Sequence, residues 1–301
     1  MEQNLKKVLK YFSFFAYNPT LDEVYTFFPI KISKKSLKYT PSQYSVGKKI
    51  SKGKLESWPY RSYIKLLSLF PQIKLVGLSG SISMMNAKED DDIDLFIITA
   101  ENRLFTGRFI ALTLAQLFRL RRSRKARYQK FFDGKPQTAK NLVSSLSQNN
   151  HKDKICLNLF FDGSNLKVPK FKQTEFVGHE VLQMKPVINK GNIYERFLEA
   201  NLWVQAIFPN SYWIISKVKS QKSKIQVKSQ KYFKNFKLLT LTSNFSLLTF
   251  NFIESILKNL QLTLINRHRT TEIITNSQLW FHPDDFGKKI KNQSRTTGPV
   301  V

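Results

Sequence analysis

The sequence predicts a mixed α/β (α+β) chain: a β-sheet core flanked by helices, with a small helical module before it and a helical domain after it. Three observations carry this. An apolar run at Ile73, Leu75, Val76 and Leu78 leads into Gly80-Ser81, ten residues intervene, and a second apolar run follows Asp92 as far as Ile98. That is the pattern of strand, turn, strand. Leu104, Phe105, Phe109, Leu112, Ala115 and Phe118 then repeat at helical spacing before a third strand-like run, Lys154 to Phe161. Both ends of the chain carry helical periodicity instead. The boundaries fall at 1–57, 58–168 and 169–301, with a basic linker near 217–237.

Leu5, Val8, Leu9, Tyr11 and Phe12 share one face of a first helix. Thr20-Leu21-Asp22-Glu23 has the form of a capping box and starts a second, which Pro29 ends. Ser33 can cap a third helix carrying Lys34, Lys35, Leu37 and Lys38, and Tyr44 to Leu55 reads as a small β-ribbon. Three helices and a ribbon resemble a winged-helix module, with the three lysines against a phosphate backbone. A packing module with a solvated basic face fits the same residues. Trp58 to Phe70 is a further helix, closed by Pro71.

Beyond the core, the basic cluster Arg119, Arg121, Arg122, Arg124, Lys125 and Arg127 is either a solvated helix end or a grip for a polyanion. Residues 130–153 read as a loop. Tyr194 to Phe208 forms an amphipathic helix stopped by Pro209, and Leu238 to Ile265 a long one with Leu248, Phe252, Ile256 and Leu260 as its apolar stripe. The tail through Trp280-Phe281-His282-Pro283 is expected to fold back onto that helical layer. Arg267, His268 and Arg269 there can face a phosphate or cap the helix.

Hydrophobic content of 42% with 25 Phe excludes a disordered chain. No apolar run reaches the ~18 residues of a membrane span, and a cytoplasmic protein is expected. A single cysteine, Cys156, excludes a disulfide framework or a Cys-type zinc site, and its apolar surroundings suggest a buried thiol. A net charge of +28 points toward polyanions, although an AT-rich coding bias yields the same excess of lysine.

Against that basic background, Glu89, Asp90, Asp91, Asp92 and Asp94 place five acids within six positions. Such crowding repels unless cations neutralise it. Asp92 and Asp94, one residue apart at a strand start, project from the same face and can share a cation. Hard oxygen donors suit Mg²⁺, which takes one or two carboxylates alongside substrate phosphates. Gly80, lacking Cβ, lets backbone amides approach a phosphate, and Ser81 adds a hydroxyl. The plainer reading is an acidic loop with a glycine turn.

Gly-Ser, ten residues, then Asp-x-Asp between two apolar runs resembles the signature of the DNA polymerase β-like nucleotidyltransferase superfamily, which includes the minimal, MNT-type enzymes. The resemblance covers about residues 62–162. It implies transfer of a nucleoside monophosphate from an NTP to a hydroxyl, with Asp92 and Asp94 on Mg²⁺ or Mn²⁺ and Gly80 and Ser81 on the β and γ phosphates. Ser83 and Lys88 are expected to complete the nucleotide contacts. RNA, DNA, a protein or a small molecule would supply the hydroxyl; no membrane is implied.

The family pattern also supplies a third carboxylate from the neighbouring strand, and here Asn158 falls at that place, with Asp162 four residues on as the alternative. His179 can serve as a base near the site or as a packed core histidine. A nucleotide- or nucleic-acid-binding regulator that kept the fold and lost turnover is the second functional reading, and a nucleotidyl-transferring toxin a third.

Overall fold

The structure, a computed structural model, describes residues 1–41, 46–121, 152–216, 218, 243–267, 269 and 271–281. Its strands are β1 (Ile73–Leu78), β2 (Ile93–Thr99), β3 (Ile155–Asp162), β4 (Lys185–Asn189), β5 (Ile273–Ile274) and β6 (Gln278–Trp280). They form one mixed sheet in the order β4-β1-β2-β3-β6-β5. β2 and β3 run parallel, and every other neighbouring pair is antiparallel. The mixed α/β expectation is met.

The helices are α1 (Glu2–Ser13), α2 (Leu21–Thr26), α3 (Val46–Glu56), α4 (Trp58–Leu69), α5 (Gly80–Ser83) and α6 (Leu104–Leu117). After β3 come α7 (Glu175–Gln183), α8 (Ile193–Ala200), α9 (Val204–Ile207) and α10 (Ser243–Asn266). Both sheet faces are covered, which is why the central strands are apolar throughout. Leu75, Phe96, Ile98, Phe161 and Trp280 share a core with α1, α2 and α7 to α9. Ile73, Val76, Leu95, Ile97, Phe160 and Leu279 share the other with α4 and α6. No helix among the described residues is long and apolar enough to cross a membrane.

The capping box at Thr20 forms as expected: its hydroxyl accepts from Glu23 N–H, and the Glu23 carboxylate accepts from Thr20 N–H. The winged-helix features do not. Ser33 precedes a single 3₁₀ turn, Lys34–Ser36, and the ribbon expected over 44–55 is helical from Val46. Tertiary contacts override local propensity here: Ser51 and Lys54 of α3 are buried against the loop before β2.

The helix expected over 194–208 breaks at buried Asn201. That side chain accepts from Val168 N–H and donates to the Leu166 and Phe197 carbonyls. The tail forms the β5–β6 hairpin, which the sequence did not announce, and extends the sheet beside β3, with Ile274, Leu279 and Phe281 packed in the core shared with α6 and with Leu257 and Leu262 of α10. Edge strand β4, with Pro186 near its start, had no strand signature. Residues 122–151, all of 217–237 but Val218, His268 and 282–301 lie outside the described residues.

α10 presents the reverse of its expected face. Phe252, Ile256 and Leu260 are exposed, at 67%, 42% and 59%, and Leu248 lies outside the described side chains. The face toward α6 is mixed: Leu257 and Leu262 pack against the core shared with α6, and polar side chains beside them bond to that helix. Glu254 accepts from the Phe105 and Thr106 backbone N–H groups at 2.8 Å, satisfying donors in the first turn of α6. Gln261 bridges the Phe105 carbonyl and Arg108. Glu254→Ala is expected to cost about 1–3 kcal/mol in urea unfolding, because two buried-end donors lose an ionised acceptor; an unchanged midpoint would contradict that role.

Candidate functional site

The site lies where β1 ends and β2 begins. β1 leads through Ser79 into Gly80, whose φ of +61° only a residue without Cβ adopts comfortably. That turn brings Gly80 against β2: a Cβ placed on it would stand 2.7 Å from Asp94 Oδ2. The loop then returns through Met85, and Asp91 organises it by accepting from Ser81 Oγ and Lys88 N–H, each at 2.9 Å.

Helix α3 fixes this loop from outside. Gly47, Ser51 and Lys54 recur at helical spacing and so share one face. A Cβ on Gly47 would stand 2.7 Å from Asn86 Cα, and Ser51 Oγ accepts from Ala87 N–H at 3.0 Å. The Lys54 ammonium donates to the carbonyls of Glu89 and Asp91 at 2.8 Å and to Asp153 Oδ1 at 2.7 Å. One buried cation thus joins the acidic loop to the segment entering β3. Asn86 Nδ2 ties the same loop to the end of α1 through the Phe15 carbonyl.

Asp92 and Asp94 do come together, both half-buried, and their carboxylate oxygens lie within 4.8 Å of each other and of the Cys156 Sγ. The third member corrects the sequence expectation. β2 pairs Asp94 with Cys156 and Phe96 with Leu159, so β3 uses three residues where β2 uses two. This bulge re-aims the side chains, and Cys156, not Asn158, stands opposite Asp94. Asn158 sits beside it and donates from Nδ2 to the Cys156 sulfur. Asp162 is at the far end of β3 opposite Thr99, where it accepts from Arg103 N–H, Ser164 N–H and Ser164 Oγ. It closes a loop and takes no part in the cluster.

Among the other expected contacts, Ser83 is buried and its hydroxyl donates to the Gly80 carbonyl, so it braces the turn. The Lys88 side chain is exposed at the loop. His179 is a core residue: its ring stacks 3.6 Å from Tyr11 and 3.9 Å from Phe27, and burial holds it well below the usual histidine range. A histidine kept neutral between two aromatic rings serves packing.

Two contributors went unforeseen besides Cys156. Lys54 looked like one more lysine in a basic stretch. Glu180, on α7, accepts a hydrogen bond from the Gly80 backbone; burial pushes its carboxyl up to about 7, and that hydrogen bond acts in the opposite direction. Tyr11 of α1 and Glu175 lie in the same electrostatic neighbourhood.

The raised Glu180 value makes stability pH-dependent with a fixed sign. The folded state holds this proton more tightly than an unfolded chain with its ordinary value of 4.5, so the contribution is full below pH 4.5 and is lost as pH rises to about 7. Glu180→Gln is expected to stabilise the protein by about 1–3 kcal/mol at pH 8 and to change little at pH 4.5. Thermal melts at both values check this; an equal effect at each would contradict the burial argument.

No protein-family model, no curated protein and no solved structure matches this chain. Function therefore rests on the geometry just described.

Proposed function

We propose that the chain is a metal-dependent nucleotidyltransferase of the DNA polymerase β-like kind, moving a nucleoside monophosphate from an NTP to a hydroxyl with release of pyrophosphate. The observation that carries this is the close approach of Asp94 to the Gly80 turn across paired strands, with Asp92 beside it. A cation seat and a backbone able to meet a phosphate are thereby adjacent.

The two hard carboxylates, taken by themselves, suit Mg²⁺ or Mn²⁺. Asp92 and Asp94 would hold the ion, which when bound neutralises charge on the reacting phosphate and on the entering and leaving oxygens. Gly80 N–H and Ser81 Oγ would turn from the carboxylates of Glu180 and Asp91 to phosphate oxygens. Lys88, exposed at the loop, would add positive charge toward the triphosphate. RNA, DNA, a protein or a small molecule each offers a suitable hydroxyl. A cytoplasmic setting, with its NTP supply, goes with this reading.

The test is transfer of label from [α-³²P]NTP to each acceptor class with Mg²⁺ or Mn²⁺. Asp92→Asn/Asp94→Asn is expected to lower transfer ~100-fold or more, as removal of preorganised charge stabilisation does. Transfer that survives the double substitution would refute the assignment. A second reading, a nucleotide-binding regulator without turnover, is favoured by the thiol of Cys156 standing where a third acid would act. Saturable Mg·NTP binding without product would select it.

A further inference from the structure

The three donors at the end of the sheet are chemically unlike. Two are carboxylates, and the third is the sulfur of a cysteine only 4% exposed, on the strand paired in parallel with β2. A cysteine that merely filled the core would face aliphatic carbon. Cys156 instead faces two acids, placed there by the bulge that follows it in β3. The Asn158 amide donates to its sulfur, and such a second contact orients a ligand.

Donor type selects the ion. Mg²⁺ takes oxygen and gains little from sulfur, whereas borderline and soft divalent ions bind thiolate and carboxylate together. Bond lengths near 2.0–2.2 Å to oxygen and ~2.3 Å to sulfur describe zinc sites of mixed donors. The three ligand atoms here, all within 4.8 Å of one another, can meet on one ion by side-chain rotation. The Gly80 turn, with no Cβ to crowd Asp94, leaves that carboxylate room to turn.

We infer that Asp92, Asp94 and Cys156 form a mixed carboxylate–thiolate site that takes a thiophilic divalent cation, of the Zn²⁺, Co²⁺ or Cd²⁺ class, in preference to Mg²⁺. The inference rests on the metal site of the proposed function but not on its chemistry. On binding, the S–H bond breaks, the electron pair stays on sulfur and is donated to the metal, and the proton leaves to solvent.

Cys156 is the chain's single cysteine, so a thiolate-to-metal charge-transfer band reports on one atom. The full chain, stripped with chelator, is titrated with Cd²⁺ and with Co²⁺ and followed by ultraviolet and visible absorption. A band saturating at one equivalent is expected, persisting in excess Mg²⁺. It should vanish in Cys156→Ser, and its midpoint should rise ~10-fold or more in Asp92→Asn/Asp94→Asn. Cys156→Asp should lose the band and bind Mg²⁺ ~10-fold or more tightly than the wild type. Thermal melts confirm that each variant is folded, and the near-isosteric serine keeps the test open if the aspartate variant does not fold.

A missing band at saturating Cd²⁺, a band indifferent to the double asparagine change, or displacement by equimolar Mg²⁺ would each overturn the inference. A band without nucleotidyl transfer defeats the proposed function alone, and transfer without a band defeats this inference alone.

Discussion

Exchanging Lys54 for methionine is expected to destabilise the protein by about 1–3 kcal/mol, since the Asp153 carboxylate left behind is half exposed, and to weaken divalent-ion binding at Asp92 and Asp94. The methylene stem is nearly preserved in volume, so the loss falls on the ammonium. That group is 4% exposed and donates to three acceptors: the Glu89 and Asp91 carbonyls and the Asp153 carboxylate. Without it, two carbonyls and a carboxylate lose a buried donor, which is the costly direction of removing one partner. The acidic loop also loses its link to the entry of β3. Urea unfolding measures the first effect, and calorimetric titration with Mn²⁺ or Cd²⁺ the second, for which ~10-fold is expected. Unchanged affinity in a destabilised variant would show that α3 braces the fold without shaping the site.

Gly80→Ala is expected to do more at the site than its single methyl suggests. Left-handed backbone at φ +61° costs an alanine ~1–2 kcal/mol by itself. The new Cβ would also meet Asp94 Oδ2 at 2.7 Å, closer than carbon and oxygen tolerate, so the carboxylate must move. Total destabilisation of about 2–3 kcal/mol and a ~10-fold or greater loss of metal affinity follow. Gly191→Ala is the matching control. Its φ is +62° with nothing within 4 Å, so it should show the backbone cost and leave metal binding intact. Equal effects of the two substitutions on metal binding would contradict the contact between Gly80 and Asp94.

Much of the sheet was legible because its strands and α6 are long and periodic. Gly80, Asp92 and Asp94 were legible by spacing alone, since a turn flanked by two apolar runs leaves few other ways to pair them. The third donor was not. The family pattern put Asn158 at that place, whereas the register that sets Cys156 opposite Asp94 depends on where the extra residue of β3 falls, which nothing in KICLNLFF marks. Helix α3 was hidden for a different reason. Its two glycines oppose a helical reading, and what holds it is contact with a loop 35 to 37 residues away in sequence. Glu180 reaches Gly80 from about a hundred residues on, across the same kind of gap. The stripe of α10 misled because apolar periodicity was taken to mean burial, whereas Leu257 and Leu262 turn inward and Glu254 and Gln261 beside them hydrogen-bond to α6.

The cation seat against a phosphate-ready turn is the central claim, and Mn²⁺ binding followed by electron paramagnetic resonance, with and without ATP, tests it most directly. The wild type should bind Mn²⁺ more tightly when ATP is present, and Asp92→Asn/Asp94→Asn should lose both the binding and the enhancement. Mn²⁺ binding that is the same in the two proteins, or that ATP leaves unchanged in the wild type, would contradict it.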